Sequence, residues 1–323
     1  MRKARIVLLQ LFFALCISTY TVHAQQLTQY TQYVNNYFGL NPAAGGSSGC
    51  LDIKAGHRRQ WVGFENAPVT SFASVNGPIK NKAKPYIKNV HVIGAYFEND
   101  RTGVLGPTSR TCFFLNYSYH LALVNNIYAS AGFFAGIMQY SFASDRVTVG
   151  NVNDNAISAA RKVILYPDIN PGFMIYGPSF FLGYSMKNAV GNKLDPVYGL
   201  NSSLARHHYL TGGLRINGRR KEISFLPSVN VKMVKGAPTS LDVCLLMDYK
   251  NVFMIGALYR KTDAAAAIVQ FRIKALTVGY SYDYNTSRLR VANANTHEVI
   301  LGYRLCRNKN GDLEDGIRCW AYQ

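Results

Sequence analysis

The sequence predicts an all-β fold: a transmembrane antiparallel β-barrel of about fourteen strands behind an N-terminal signal peptide. Three observations predict it. Charged residues make up only 16% of the chain, where soluble domains average about 25%, while 22 tyrosines and 17 phenylalanines are present. Beyond the N-terminus no stretch reaches the ~18 consecutive apolar residues of a membrane helix. Where apolar residues do gather, they alternate with Gly, Ser, Asn or charge. That period of two hides hydrophobicity from a running average, and mean hydropathy is −0.03.

The elements follow in order. Arg2, Lys3 and Arg5 precede an apolar run from Ile6 to Ser18, and Val22-His23-Ala24 offers small residues at a peptidase site before Gln25. Residues 1–24 therefore read as a secretory signal peptide, and the context of Cys16 is a poor lipobox. Residues 25–49, QQLTQYTQYVNNYFGLNPAAGGSSG, are polar and amide-rich; they either enter the lumen as a plug or lie beneath it in the periplasm.

Residues 50–305 form the barrel. Strand segments fall near 50–60, 68–77, 89–97, 108–121, 126–141, 171–177, 178–187, 206–216, 222–235, 239–249, 252–260, 264–273, 275–284 and 296–305. In ALTVGYSYDYN, Leu276, Val278, Tyr280, Tyr282 and Tyr284 share one face, and Thr277, Gly279, Ser281 and Asp283 the other. THEVILGYRLC and CFFLNYSYHLAL repeat the pattern. An even strand count returns both chain ends to the periplasm. With that orientation the long connections 142–170, 188–205 and 285–295 are external. Short ones at Val124-Asn125, Gly177-Pro178, Tyr249-Lys250-Asn251 and Lys274 are periplasmic. The basic stretch 78–88 is a longer periplasmic exception. Residues 306–323 form a polar periplasmic tail.

HRRQWVGFENAPVTSF, His57 to Phe72, reads as a hairpin: the end of the first strand, an external turn, and the start of the second. Trp61 stands at an aromatic girdle position, and Gly63 and Pro68 serve the reversal. YVNNYFGLNPAAGGSSG followed by this stretch resembles the opening of the PorP/SprF family of type IX secretion outer-membrane proteins of Bacteroidetes. Arg58, Gln60, Trp61, Gly63 and Pro68 carry the motif. Ile169 to Phe173, Leu226 to Ser228, Val234 to Asp242, Gly279 to Tyr284 and His297 to Arg304 agree in order. The chain departs from the family at Arg59, where a second Gln is common, and in its Cys-bearing tail.

The resemblance implies an outer-membrane component that helps export or retain cargo proteins carrying a C-terminal signal domain. It further implies contact with the periplasmic ring lipoprotein of that machine and, in gliding species, a part in adhesin export. A passive porin or solute channel is the alternative that periodicity alone leaves open.

The formal charge is +18, and +15 without Arg2, Lys3 and Arg5. An exported chain meets anionic lipid or acidic protein rather than nucleic acid. Lys80, Lys82, Lys84 and Lys88 in one periplasmic turn and Arg219, Arg220 and Lys221 in another are candidate contacts for an acidic periplasmic partner; headgroup electrostatics and turn solubility are the alternative. No spacing marks a catalytic nucleophile, a metal site or a cofactor site. His207 and His208 are adjacent on a strand and point to opposite faces. Five cysteines follow the signal peptide, and Cys306 with Cys319, flanking a polar segment, is the candidate disulfide, with free thiols as the alternative.

Overall fold

A computed structural model describes residues 28–64, 66–79, 89–102, 108–124, 126–142, 162–193, 203–218, 222–286 and 295–306. The signal peptide, both basic turns and the tail beyond Cys306 lie outside the described residues.

The wall begins with β1 (Leu51–Arg59), β2 (Val69–Ile79), β3 (Val90–Thr102), β4 (Thr108–Ala122) and β5 (Tyr128–Phe142). It continues with β6 (Lys162–Tyr176), β7 (Phe180–Lys187), β8 (His207–Leu214), β9 (Ile216–Asn217) and β10 (Ile223–Val234). β11 (Ser240–Tyr249), β12 (Phe253–Arg260), β13 (Ala264–Ile273), β14 (Leu276–Asn285) and β15 (Thr296–Leu305) complete it. Neighbours in sequence pair antiparallel, and β15 pairs with β1 from Leu51↔Leu305 to Arg59↔His297, so the sheet closes. β8 and β9 both pair with β10 and share one position, giving a closed barrel of 14 strands. Closure leaves no edge strand, as a membrane interior requires because it offers backbone groups no water, and among the described residues the upper half of β6 stands beyond the reach of β7.

Alternation decides what each side sees. On β14, Tyr280, Tyr282 and Tyr284 are exposed on the outer face, while Ser281 and Asp283 are buried within. All eight strand carboxylates among the described residues (Asp52, Glu98, Asp100, Asp168, Asp242, Asp248, Asp283, Glu298) point inward or are buried. Short connections share the end that carries Cys50 and Cys306. There Gly177 N–H bonds Phe180 O at 2.9 Å, Val252 N–H bonds Tyr249 O at 3.0 Å, and Lys274 takes φ 56. By the loop-length rule that end is periplasmic.

Two expectations are corrected. The expected fifth connection runs externally over 142–170, but β6 starts at Lys162 and pairs with β5 along its whole length, including Pro167↔Ile137 and Pro171↔Phe133. Two prolines disguise the strand. Pro167 turns its carbonyl away from β5, toward Asn192, whose side chain donates to it at 2.8 Å. Its missing N–H therefore faces the side where β7 offers no partner, since β7 pairs only with Gly172 to Tyr176. The second correction concerns the disulfide: Cys306 bridges to Cys50, with Cα atoms 4.7 Å apart, and not to Cys319. Leu51 and Leu305 are register partners, so the residues just outside them are neighbours despite a separation of 256. Cys112 and Cys244 are buried free thiols.

Inside this wall lie residues 28–49, the inner segment. It holds one helical turn, α1 (Tyr37–Leu40), and a 3-10 turn at Pro42–Ala44 whose start is capped by Asn41 Oδ1 accepting from Ala43 N–H at 2.9 Å. The segment starts beside residues of the external half, Glu98 and Glu298, and reaches the periplasmic end at Cys50.

Candidate functional site

The candidate site is the filled lumen. At its external end two ionic clusters hold the first residues of the inner segment. Arg58, the last inward residue of β1, pairs with Asp283 at 2.8 Å and Glu298 at 2.9 Å and donates to Thr31 Oγ1 at 2.8 Å. Glu298 in turn accepts the backbone N–H groups of Thr31 and Gln32, both at 2.9 Å. Arg260 extends the cluster to Asp242 at 3.0 Å, which also takes Lys232 at 2.7 Å. The second cluster centres on Glu98, which pairs with Arg110 and accepts from Tyr30 at 2.7 Å and Tyr96 at 2.9 Å. Burial and then the charge of Glu98 push the Tyr30 hydroxyl well above its usual pKa, so it stays a donor.

Below these clusters the contact is aromatic and close. Phe38 packs edge-on to Phe134 at 5.0 Å, and Tyr37 lies against Phe181 at 4.8 Å. The wall makes room with glycine: a Cβ on Gly183 would collide with the Tyr37 hydroxyl, and one on Gly172 with Asn41 and Pro42.

In the middle and lower lumen, wall side chains read the backbone of the inner segment. Lys54 donates to Asn35 O at 2.7 Å, Ser185 to Leu40 O at 2.7 Å and Asn116 to Pro42 O at 3.2 Å. Ser130 donates to Ala43 O at 2.8 Å, and Gly46 N–H donates to Asn76 Oδ1 at 2.7 Å. His120 sits 2.8 Å from Gly45 O and 2.7 Å from the Tyr176 hydroxyl. A carbonyl only accepts, so Nε2 carries the proton and Nδ1 accepts from Tyr176. A cavity of ≈ 20 Å³ between Gly39, Glu98, Arg110 and Asn170 has room for about one water.

The sequence-predicted residues divide. Arg58 is neither a turn nor a girdle residue, since Asp283 and Glu298 on the next two strands draw it into the lumen. Gln60 N–H bonds Pro68 O at 2.9 Å and closes the turn, in which Trp61 (φ 46) and Gly63 (φ 102) take left-handed conformations. Trp61 is half-buried in that turn, and its backbone N–H donates to Thr296 Oγ1 at 3.2 Å. Lys80, Lys82, Lys84, Lys88, Arg219, Arg220, Lys221 and Cys319 lie outside the described residues. His207 is buried and His208 faces out, bonded to Tyr184. Sequence reading missed Glu98, Arg110, His120, Asp283 and Glu298 as a set. Their one signal was charge on the small-residue face of an alternating strand.

A family model described as type IX secretion system membrane protein PorP/SprF matches residues 22–303. The chain belongs to the PorP/SprF family. No curated protein matches it significantly. Among solved structures, the toluene transporter TbuX of Ralstonia pickettii aligns at 8% identity over 82% of this chain and 92% of that one, with a TM-score of 0.51. A Pseudomonas aeruginosa FadL homologue aligns at 9% identity, 78% and 88% coverage, and a TM-score of 0.46. The translocator domain of the autotransporter NalP from Neisseria meningitidis aligns at 12%, 79% and 88%, with 0.44. At such identities the TbuX likeness shows the barrel fold and nothing of its cargo. Fold and family together put this PorP/SprF chain in the outer membrane, as a membrane protein of type IX secretion.

Proposed function

We propose that this PorP/SprF protein is a non-enzymatic, closed-lumen component of the type IX machine that assists export or surface attachment of proteins with C-terminal signal domains. It acts through its rims and outer face and not as a conduit. One observation carries this reading: the inner segment is bonded to the wall from the Arg58 cluster at the external end to Asn76 and His120 near the periplasmic end. A solute channel would leave that path open. The signal peptide is removed after Ala24. The basic periplasmic turns, Lys80 to Lys88 and Arg219 to Lys221, meet an acidic partner associated with the periplasmic ring lipoprotein.

Quantitative proteomics of the cell surface and medium, comparing a clean deletion strain with its complemented parent, tests this. A defined set of proteins with C-terminal signal domains should leave the exterior and accumulate in the periplasm. Unchanged export together with reduced uptake of a solute would instead establish the porin reading. Charge reversal in both basic turns should reduce co-purification of periplasmic partners while the barrel still assembles, and full recovery would retire that contact.

A further inference from the structure

The outer face of the wall is layered over six adjacent strands, β14, β15, β1, β2, β3 and β4. Side chains in register on this face form rows that cross the strands and, because the strands of a membrane barrel tilt by about 35–45°, climb obliquely through the membrane. The row Leu276, Tyr303, Ile53, Val75, Ala95, Leu115 is apolar apart from one tyrosine hydroxyl. The next row toward the exterior, Val278, Leu301, Ala55, Ala73, Phe97, Phe113, is wholly apolar. One step further the chemistry changes to Tyr280, Val299, His57, Ser71, Asn99, Thr111. The outermost row is Tyr282, His297, Arg59, Val69, Arg101, Ser109. Successive rows lie two residues apart, or about 7 Å along a strand. Along β1, β2 and β3 the outer face turns from apolar to polar at His57, Ser71 and Asn99, and Arg59 and Arg101 lie one step further toward the exterior, on the headgroup side of that change.

Both arginines are exposed, and among the described residues neither makes an ion pair. They lie on strands two apart, roughly 10 Å from each other, so their long side chains can converge over Val69. Among the described residues no carboxylate faces outward on these strands, because Asp52, Glu98, Asp100, Asp283 and Glu298 point to the lumen. The row beneath is rich in hydroxyl and amide groups held by short local bonds: His57 to Ser71 at 2.9 Å, and Asn99 to Thr111 at 2.7 Å.

We propose that this face is a binding site for a phosphorylated glycolipid of the outer leaflet. Arg59 and Arg101 hold the phosphate by charge-assisted hydrogen bonds, and Ser71, Asn99 and Thr111 meet the sugar. The two apolar rows take the acyl chains. An acidic protein segment would satisfy the arginines equally. It would not use a site whose lower edge runs directly into hydrocarbon-facing Phe97, Phe113 and Leu301.

The test uses the full-length protein in detergent, with diphosphoryl lipid A and its fully dephosphorylated form as probes, read by native mass spectrometry. Wild type should retain the diphosphoryl form, and R59Q/R101Q should bind it about thirtyfold more weakly, as expected for two cations at an anionic membrane surface. A second pair of exposed cations at the external end, Lys235 and Lys261, serves as control, and K235Q/K261Q should bind like wild type. Equal retention by R59Q/R101Q, or an equal loss in the control pair, overturns the site. Equal binding of the dephosphorylated probe to wild type does so without any variant. Loss of a captured acidic cargo domain by R59Q/R101Q with lipid A retention unchanged would reassign the arginines to protein and overturn the lipid assignment.

Discussion

Replacing Arg58 by Gln would leave Glu298 in the lumen without its cation and Asp283 with only Arg260, 3.8 Å away, and would remove the bond to Thr31. Removing one partner of a buried ion pair costs about 3–5 kcal/mol. R58Q should therefore lose heat resistance of the compact band on gels, whereas R59Q, facing lipid, should keep it. Glycine positions give a second contrast. Gly183→Ala meets the Tyr37 hydroxyl and should cost ~1–3 kcal/mol by overpacking. Gly302→Ala, whose new methyl would rest 3.4 Å from Thr277 Cβ, should stay within about 0.5 kcal/mol. Comparable unfolding of the two glycine variants would remove the close-contact argument. In the sequence, adjacent Arg58 and Arg59 had to face opposite ways. Which one faced inward was not legible, because the deciding carboxylates lie 225 and 240 residues away.

At the scale of the element, β6 carries the lesson. Its alternation, with Val163, Leu165 and Ile169 out and Tyr166, Asp168 and Asn170 in, is as regular as that of β14. Pro167 and Pro171 nevertheless argued against a strand, because a central strand needs every N–H. Local sequence does not reveal that β7 is too short to reach the upper half of β6. Only the register shows that the absent donors face a side without a partner strand. The same geometry makes a paired prediction. Leu165→Pro places its missing N–H on that side and should be tolerated. Ile164→Pro removes a bond to β5 and leaves an acceptor unmet, at a cost of about 1–3 kcal/mol. Thermal unfolding of the two variants checks it, and equal losses would contradict the assigned direction of the β6 ladder.

For the whole molecule, strand number, closure and the orientation of long and short connections were legible because period two is a local signal. The course of residues 28–49 was not. Their composition fits an interior or a periplasmic site equally, and their contacts run to strands from β1 to β15. The filled lumen predicts that wild-type protein in planar bilayers shows no steady conductance. R58Q combined with Glu98→Gln, which loosens both external clusters, should produce intermittent openings. Steady conductance of the wild type would undo the closed-lumen reading.

The Cys50–Cys306 bridge joins the two ends of the wall where β1 meets β15. Its sulfurs come together only once the last strand has found the first, so its oxidation records the moment when the ring is complete. In pulse-labelled cells trapped at intervals by alkylation, the bridged form should appear together with the heat-resistant compact band and never before it. A bridge formed earlier would mean that the ends meet before the wall is built. The bond is thus a time stamp on biogenesis, readable on a non-reducing gel.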